Sequence, residues 1–318
     1  MYINKRDTEG ALIPSDRVAI VSRDMSARHS SIHPTAPRLH RALRTSAKKI
    51  NFQGFILTLL LCVSTMHALV PERVIIASDL NRNYIEFWPA VAHWWQDIVG
   101  IKKVTFAVVG GVPPQCDVSD ENIEVIYVEP IKGVSTALHA QTIRMLLPIL
   151  YPNEVCILGD IDMIPLSSDF FVKYGAQVPD DHLLIYHEYP ESLGSEYYYR
   201  YPFCYTAARG STYGEIFGIS DVAQIPVLIK QWSELGWGFP TDERVLYAAV
   251  QKWRAKTNRV SFLDIPDFYD HRLSKKQALN FDAVKLAAGH YFDGHCPRPY
   301  SQYKLLIDAI VQAAPHVS

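Results

Sequence analysis

Val155-Cys156-Ile157-Leu158-Gly159-Asp160-Ile161-Asp162 is a short apolar run that closes on a turn-prone Gly-Asp and two carboxylates one residue apart. Its β-branched residues and abrupt end read as a central strand of an α/β sheet, and ligands of such sheets collect outside the carboxyl edge. Two hard oxygen donors at that place suit magnesium or manganese. An Asp-x-Asp at a strand end is also an ordinary solvated turn, so the surrounding chain has to decide between the two.

Upstream, Arg73-Val74-Ile75-Ile76-Ala77-Ser78-Asp79 reads as a first strand, and the aromatic stretch 84–99 as a helix disturbed by Pro89. Residues 104–109 and 123–128 read as two further strands, separated by the loop Gly110-Gly111-Val112-Pro113-Pro114. His139, Ile143, Leu146 and Leu150 recur at helical spacing over 137–150. A β-α-β-β-α-β order of this kind predicts a mostly parallel sheet with right-handed crossovers. Further along, 182–186 and 203–207 read as strands, and 222–235 and 243–254 as helices. Thr241-Asp242-Glu243 is a good helix start, with a capping hydroxyl and first-turn acids. Tyr197, Tyr198, Tyr199 and Tyr201 crowd around Arg200 in a loop, where they can pack the sheet edge or stack on a sugar ring.

The chain has 318 residues, with 31 Lys and Arg against 33 Asp and Glu. So balanced a charge gives no support for a nucleic-acid partner. The first 49 residues are different, with ten basic residues against four acids and no apolar period, and residues 1–51 are expected to form a disordered tail. Residues 52–70 follow as the most hydrophobic stretch, behind Lys48 and Lys49. Three readings stand: a signal anchor with the basic tail in the cytoplasm, a cleaved signal ending near Ala68, and a buried helix. The first two place the rest of the chain, taken to begin at 71, in a secretory or extracytoplasmic space. The five cysteines (Cys62, Cys116, Cys156, Cys204 and Cys296) are too widely spaced for a metal motif.

Leu158-Gly159-Asp160-Ile161-Asp162-Met163-Ile164-Pro165-Leu166, preceded by Ala140-Gln141-Thr142-Ile143-Arg144-Met145-Leu146-Leu147-Pro148, resembles the GT-A-fold nucleotide-sugar glycosyltransferases, family 8 above all. The resemblance implies a Rossmann-like α/β domain over 71–318. It also implies a manganese (or magnesium) ion held by Asp160 and Asp162 against the diphosphate of a nucleoside-diphosphate sugar, with Arg144 as the helix arginine.

A second element, His290-Tyr291-Phe292-Asp293-Gly294 followed by Arg298-Pro299-Tyr300, is similar to the family's His-Phe-x-Gly and Lys-Pro-Trp. It implies His290 as third metal ligand, with Gly294 and Arg298 at the donor. One extra residue in the spacing leaves His295 as a rival. Thr241-Asp242-Glu243-Arg244-Val245-Leu246 resembles the family's Asp-Gln-x-x-Leu near the reacting sugar, so Asp242 and Glu243 are the candidate catalytic pair. Glu243 stands where the family has Gln and can serve as a general base in an inverting reaction, whereas the family resemblance implies retention. Ser78, Asp79 and Asn81 end the first strand where such enzymes meet the nucleoside.

The acceptor, whether carbohydrate, lipid or protein, is open. Two other classes compete. A haloacid-dehalogenase-type phosphatase would use Asp160 as nucleophile, although its Asp-x-Asp strand normally opens the domain. A non-catalytic carbohydrate-binding protein could share the fold.

Overall fold

A computed structural model describes residues 3–4, 68–112, 120–190 and 193–316. The expected tail and hydrophobic segment lie outside these residues, apart from the backbone of Ile3–Asn4 and residues 68–70. No helix among the described residues is long and apolar enough to cross a membrane.

The central sheet is built from β1 (Arg73–Asp79), β2 (Lys103–Val109), β3 (Ile123–Val128), β4 (Val155–Leu158), β6 (Leu183–Ile185), β7 (Thr206–Arg209) and β8 (Val260–Phe262). β5 (Met163–Pro165) falls between β4 and β6 in the chain but belongs to a second sheet. The spatial order is β3-β2-β1-β4-β7-β6-β8, with Ile3–Asn4 pairing antiparallel outside β3. Neighbours run parallel except around β7, which is antiparallel to both β4 and β6. The mostly parallel α/β expectation therefore holds.

Period-two alternation decides what each strand buries. Val74 and Ile76 of β1, with Val155 and Ile157 of β4, join one core with Trp95, Phe170 and Tyr186. Ile75 and Ala77, with Cys156 and Leu158, join the other, beneath α1 (Thr136–Leu146), α2 (Gly210–Phe217), α3 (Ile225–Ser233) and α4 (Thr241–Arg254). Because both faces are covered, the strands read as continuous apolar runs.

Several boundaries move for local reasons. The helix expected over 137–150 becomes α1 plus a 3₁₀ turn, Leu147–Leu150, since Pro148 has no N–H to continue the ladder. The stretch 84–99 breaks at Pro89 into Arg82–Ile85, Ala90–Trp94 and a π turn, Trp95–Val99. α4 starts after Pro240, and the Thr241 hydroxyl donates back to the Gly238 carbonyl at 2.7 Å instead of capping the helix. The domain also begins before residue 71. Leu69 is fully buried, its N–H bonds Val178 O at 2.8 Å, and its carbonyl sits where a Cβ on Gly175 would be.

The second, three-stranded sheet has β10 (Asp293–His295) between β5 and β9 (Arg272–Leu273), parallel to β9 and antiparallel to β5. The register pairs His295 with Met163 and Gly294 with Ile164. The C-terminal helix α5 (Tyr300–Ala313) then buries Ile307 and Ile310 in the first core. Its start, like the second sheet, fixes the segment that closes the site.

Candidate active site

A cavity of about 480 Å³ opens at the carboxyl ends of β1 and β4. Its lining includes Ser78, Asp79, Asn81, Tyr84, Gln141 and Arg298, and also Tyr189, Phe203, Phe239, Asp242 and Glu243. Asp160, Asp162 and His295 are on the same lining, with Arg144, Cys204 and Arg272. Of the residues expected from sequence, only Gly294 and His290 are absent from it.

Arg144 organises the floor. α1 carries it beneath β4, where its guanidinium lies 4.0 Å over the Phe203 ring. NH1 donates to the Gly159 carbonyl at 2.9 Å and to Asp160 Oδ1, and NH2 to Asp242 Oδ2 at 3.3 Å. Burial pushes the Asp160 carboxyl up, but Arg144 more than offsets this and holds it below its ordinary value. Asp242 keeps a raised value, because burial there outweighs the same guanidinium. Gly159 itself is confined, since a Cβ would meet Trp95 at 3.3 Å and Ile76 at 3.4 Å.

Glu243 follows in the first turn of α4. Burial lifts its carboxyl to about 7, against the hydrogen bond from the Tyr189 hydroxyl and the guanidinium of Arg200 at 3.8 Å. A group poised near neutrality in a cleft is well placed to exchange a proton.

At the other end, Asp162 Oδ2 faces three nitrogens: His295 Nε2 at 3.0 Å, Arg298 Nε at 3.4 Å and Lys275 Nζ at 3.7 Å. The β5–β10 register explains the first two, since it sets His295 opposite Met163, next to Asp162, and Cys296 N–H bonds Asp162 O at 2.9 Å.

The same register sets His290 outside the cavity lining. It precedes β10, its ring lies 4.6 Å from that of His271, and its carbonyl accepts from His271 Nδ1 at 2.7 Å. His295, the rival, is the histidine at the Asp-x-Asp. Gly294 is likewise absent from the cavity lining. It packs inside the second sheet, where a Cβ would stand 3.4 Å from Leu166.

Asp79 and Asn81 are at the cavity, but their side chains hold the turn. Asp79 accepts from Asn81 N–H at 3.0 Å and from Thr136 Oγ1 at 2.9 Å, and Asn81 accepts from Asn83 N–H at 3.1 Å. Ser78 Oγ bonds the Asp79 carbonyl. The tyrosine-rich loop divides: Tyr201 is core, Tyr197 packs 4.7 Å from Tyr189, and none of Tyr197, Tyr198, Tyr199 and Tyr201 lines the cavity.

Two carboxylates and an imidazole are a fitting donor set for manganese. Among the described residues, however, no three His, Cys, Asp or Glu side chains converge on one point for a metal ion. Asp160 is paired with Arg144 and Asp162 with His295, so a cation would compete with these nitrogen partners.

Sequence reasoning missed Tyr84, Gln141, Tyr189, Cys204, Phe239, Arg272 and Lys275. Apart from Gln141, which stands in the quoted helix element, none lies in a motif. They come from separate helices, loops and the second sheet, a convergence that single-residue spacing does not reveal.

No family model and no curated protein matches this chain. Solved structures do. The galactosyltransferase LgtC in complex with donor and acceptor sugar analogs is 11% identical, with 77% of this chain and 97% of that chain covered and a TM-score of 0.45. The WbbM bifunctional glycosyltransferase is 10% identical, covering 76% and 50% with a TM-score of 0.43. The glycosyltransferase GlyE of Streptococcus pneumoniae TIGR4 is 11% identical, covering 75% and 60% with a TM-score of 0.43. Each is described as a glycosyltransferase, the class this sequence resembles.

Proposed function

We propose that this chain is a metal-dependent glycosyltransferase that moves a sugar from a nucleoside-diphosphate sugar to an acceptor, with retention as the family resemblance implies. The observation that supports it is the cavity at the sheet's carboxyl edge, where Asp160, Asp162, His295 and Arg298 meet Asp242 and Glu243. Asp160 and Asp162, with His295 in place of His290, would hold a manganese ion. Such an ion supplies Lewis-acid neutralisation of a departing diphosphate.

The chain's own groups do the remaining work. Arg298 offsets phosphate charge, and Arg144 fixes Asp160 and Asp242 in place. Tyr189 orients Glu243, whose carboxyl, near half ionised at neutral pH, can accept a hydrogen bond or a proton from an acceptor hydroxyl. The segment that precedes Ala68 is the candidate contact with a membrane, which would put the cavity on the secretory or extracytoplasmic side.

The test is turnover of a panel of uridine and guanosine diphosphate sugars with manganese, comparing the parent with Asp162→Ala. Loss of turnover in the variant supports the reading, and equal turnover by the two proteins sinks it.

A further inference from the structure

The end of the cavity at Asp162 holds more positive charge than the carboxylate can balance. Arg144 is committed to Asp160 and Asp242, and Arg272 to Asp293 through two bonds of 2.8 and 2.7 Å. Among the described residues, Lys275 and Arg298 share Asp162 alone among carboxylates, at 3.7 and 3.4 Å, and neither contact has the short geometry of a saturated pair. Two cations against one carboxylate leave a net positive point, with His295 beside it.

Lys275 is held there by the fold. β9 runs parallel to β10, so the residue two positions beyond Leu273 arrives next to the segment that follows β10, where His295 and Arg298 lie. Ser274 and Gln277 lock the turn reciprocally: Ser274 Oγ accepts from Gln277 N–H at 3.3 Å and Gln277 Oε1 accepts from Ser274 N–H at 3.0 Å. Leu273 and Ala278 are buried on either side, while the Lys275 side chain remains about one-third exposed. Arg298, in turn, lies 4.5 Å over the Tyr84 ring on the lining.

We propose that Lys275 and Arg298 form a two-cation clamp for the terminal phosphate of a diphosphate, with Asp162 as the counter-ion that parks both before the ligand arrives. The assignment of that diphosphate to a nucleotide donor rests on the proposed function, but the clamp itself does not. Arg298 was expected at the donor. Lys275 lies outside every motif and is brought there by the second sheet alone. The clamp discriminates by phosphate number, because the ligand's first phosphate lies nearer the nucleoside and its second reaches Lys275. It also gives a metal ion room to act, since a phosphate that draws Lys275 away leaves Asp162 with one fewer nitrogen partner.

The experiment is isothermal titration of the parent, Lys275→Met and Lys275→Arg with uridine and guanosine mono- and diphosphates in manganese, and with inorganic pyrophosphate in metal-free buffer. The expected result is a loss of about tenfold or more in diphosphate and pyrophosphate affinity for Lys275→Met, less than twofold change for monophosphates, and recovery in Lys275→Arg. Equal loss for mono- and diphosphates marks a merely structural lysine and overturns the clamp, as does an unchanged diphosphate affinity. Should the parent bind pyrophosphate but no nucleotide, the donor reading fails while the clamp is judged on pyrophosphate alone. Should it bind neither, both fall.

Discussion

Replacing Arg144 by Met removes the single cation that faces two carboxylates under the cavity floor. The guanidinium and the Asp242 side chain are each only 7% exposed, whereas Asp160 is 27% exposed and retains partial access to water. Breaking a buried pair by removing one partner costs about 3–5 kcal/mol, because the remaining charge is left desolvated. For a domain of this size that corresponds to a fall in Tm of about 6–20 °C. The loss is pH-dependent in a definite sense. The Asp242 carboxyl is already raised in the folded state, and without Arg144 it rises further, so protonation at lower pH relieves the strain. Thermal or urea unfolding at pH 8 and pH 5 should therefore show a large deficit at pH 8 and a smaller one at pH 5. Adding Asp242→Asn to Arg144→Met should restore part of the stability at pH 8, since the amide needs no counter-ion. A single variant within about 2 °C of the parent at pH 8, or a double variant no better than the single, would refute the account of this floor.

Glu243→Gln should stabilise the protein at pH 8 by about 1–3 kcal/mol, because a carboxyl raised to about 7 contributes stability below pH 4.5 that is lost as pH climbs to 7. Urea titrations across pH 4–8 should show that slope flattened in the variant. His139 is fully buried with both ring nitrogens unpartnered, and burial depresses it to about 4. Its contribution is present above pH 6.5 and lost as pH falls towards 4, so His139→Leu should gain about 2 kcal/mol on the parent at pH 5 relative to pH 7.5 in the same assay. His295→Ala should raise the manganese concentration needed for half-maximal turnover about 10- to 100-fold, whereas His290→Ala should leave it within twofold.

How far the chain could be read in advance followed from range. β1 to β4 are largely apolar runs and α1 repeats apolar residues at helical spacing, both signals carried by the sequence itself, and Arg144, Asp160 and Asp162 sit at the ends of these elements. The choice between His290 and His295 could not be made there. It depends on the β5–β10 register, in which strands of three residues, too short for any periodic signal, pair residues 128 to 132 positions apart. Lys275 belongs to the same case, carried in by a two-residue strand. Leu69 was assigned to a hydrophobic segment because apolar residues look alike in a core and a membrane, and only its fit beneath Gly175 tells them apart. Glu243 was flagged by position, but its raised carboxyl comes from burial and the nearby Asp242 carboxylate, which the sequence does not show, and the Tyr189 hydrogen bond opposes them.

Whether the Asp160–Asp162 cavity is a nucleoside-diphosphate site is most directly decided by isothermal titration of the parent and Asp162→Asn with uridine and guanosine diphosphates, with and without manganese. The predicted result is binding of one nucleotide that manganese tightens at least tenfold in the parent and not in the variant. Binding of neither nucleotide under any condition, or an equal manganese effect in both proteins, would contradict it.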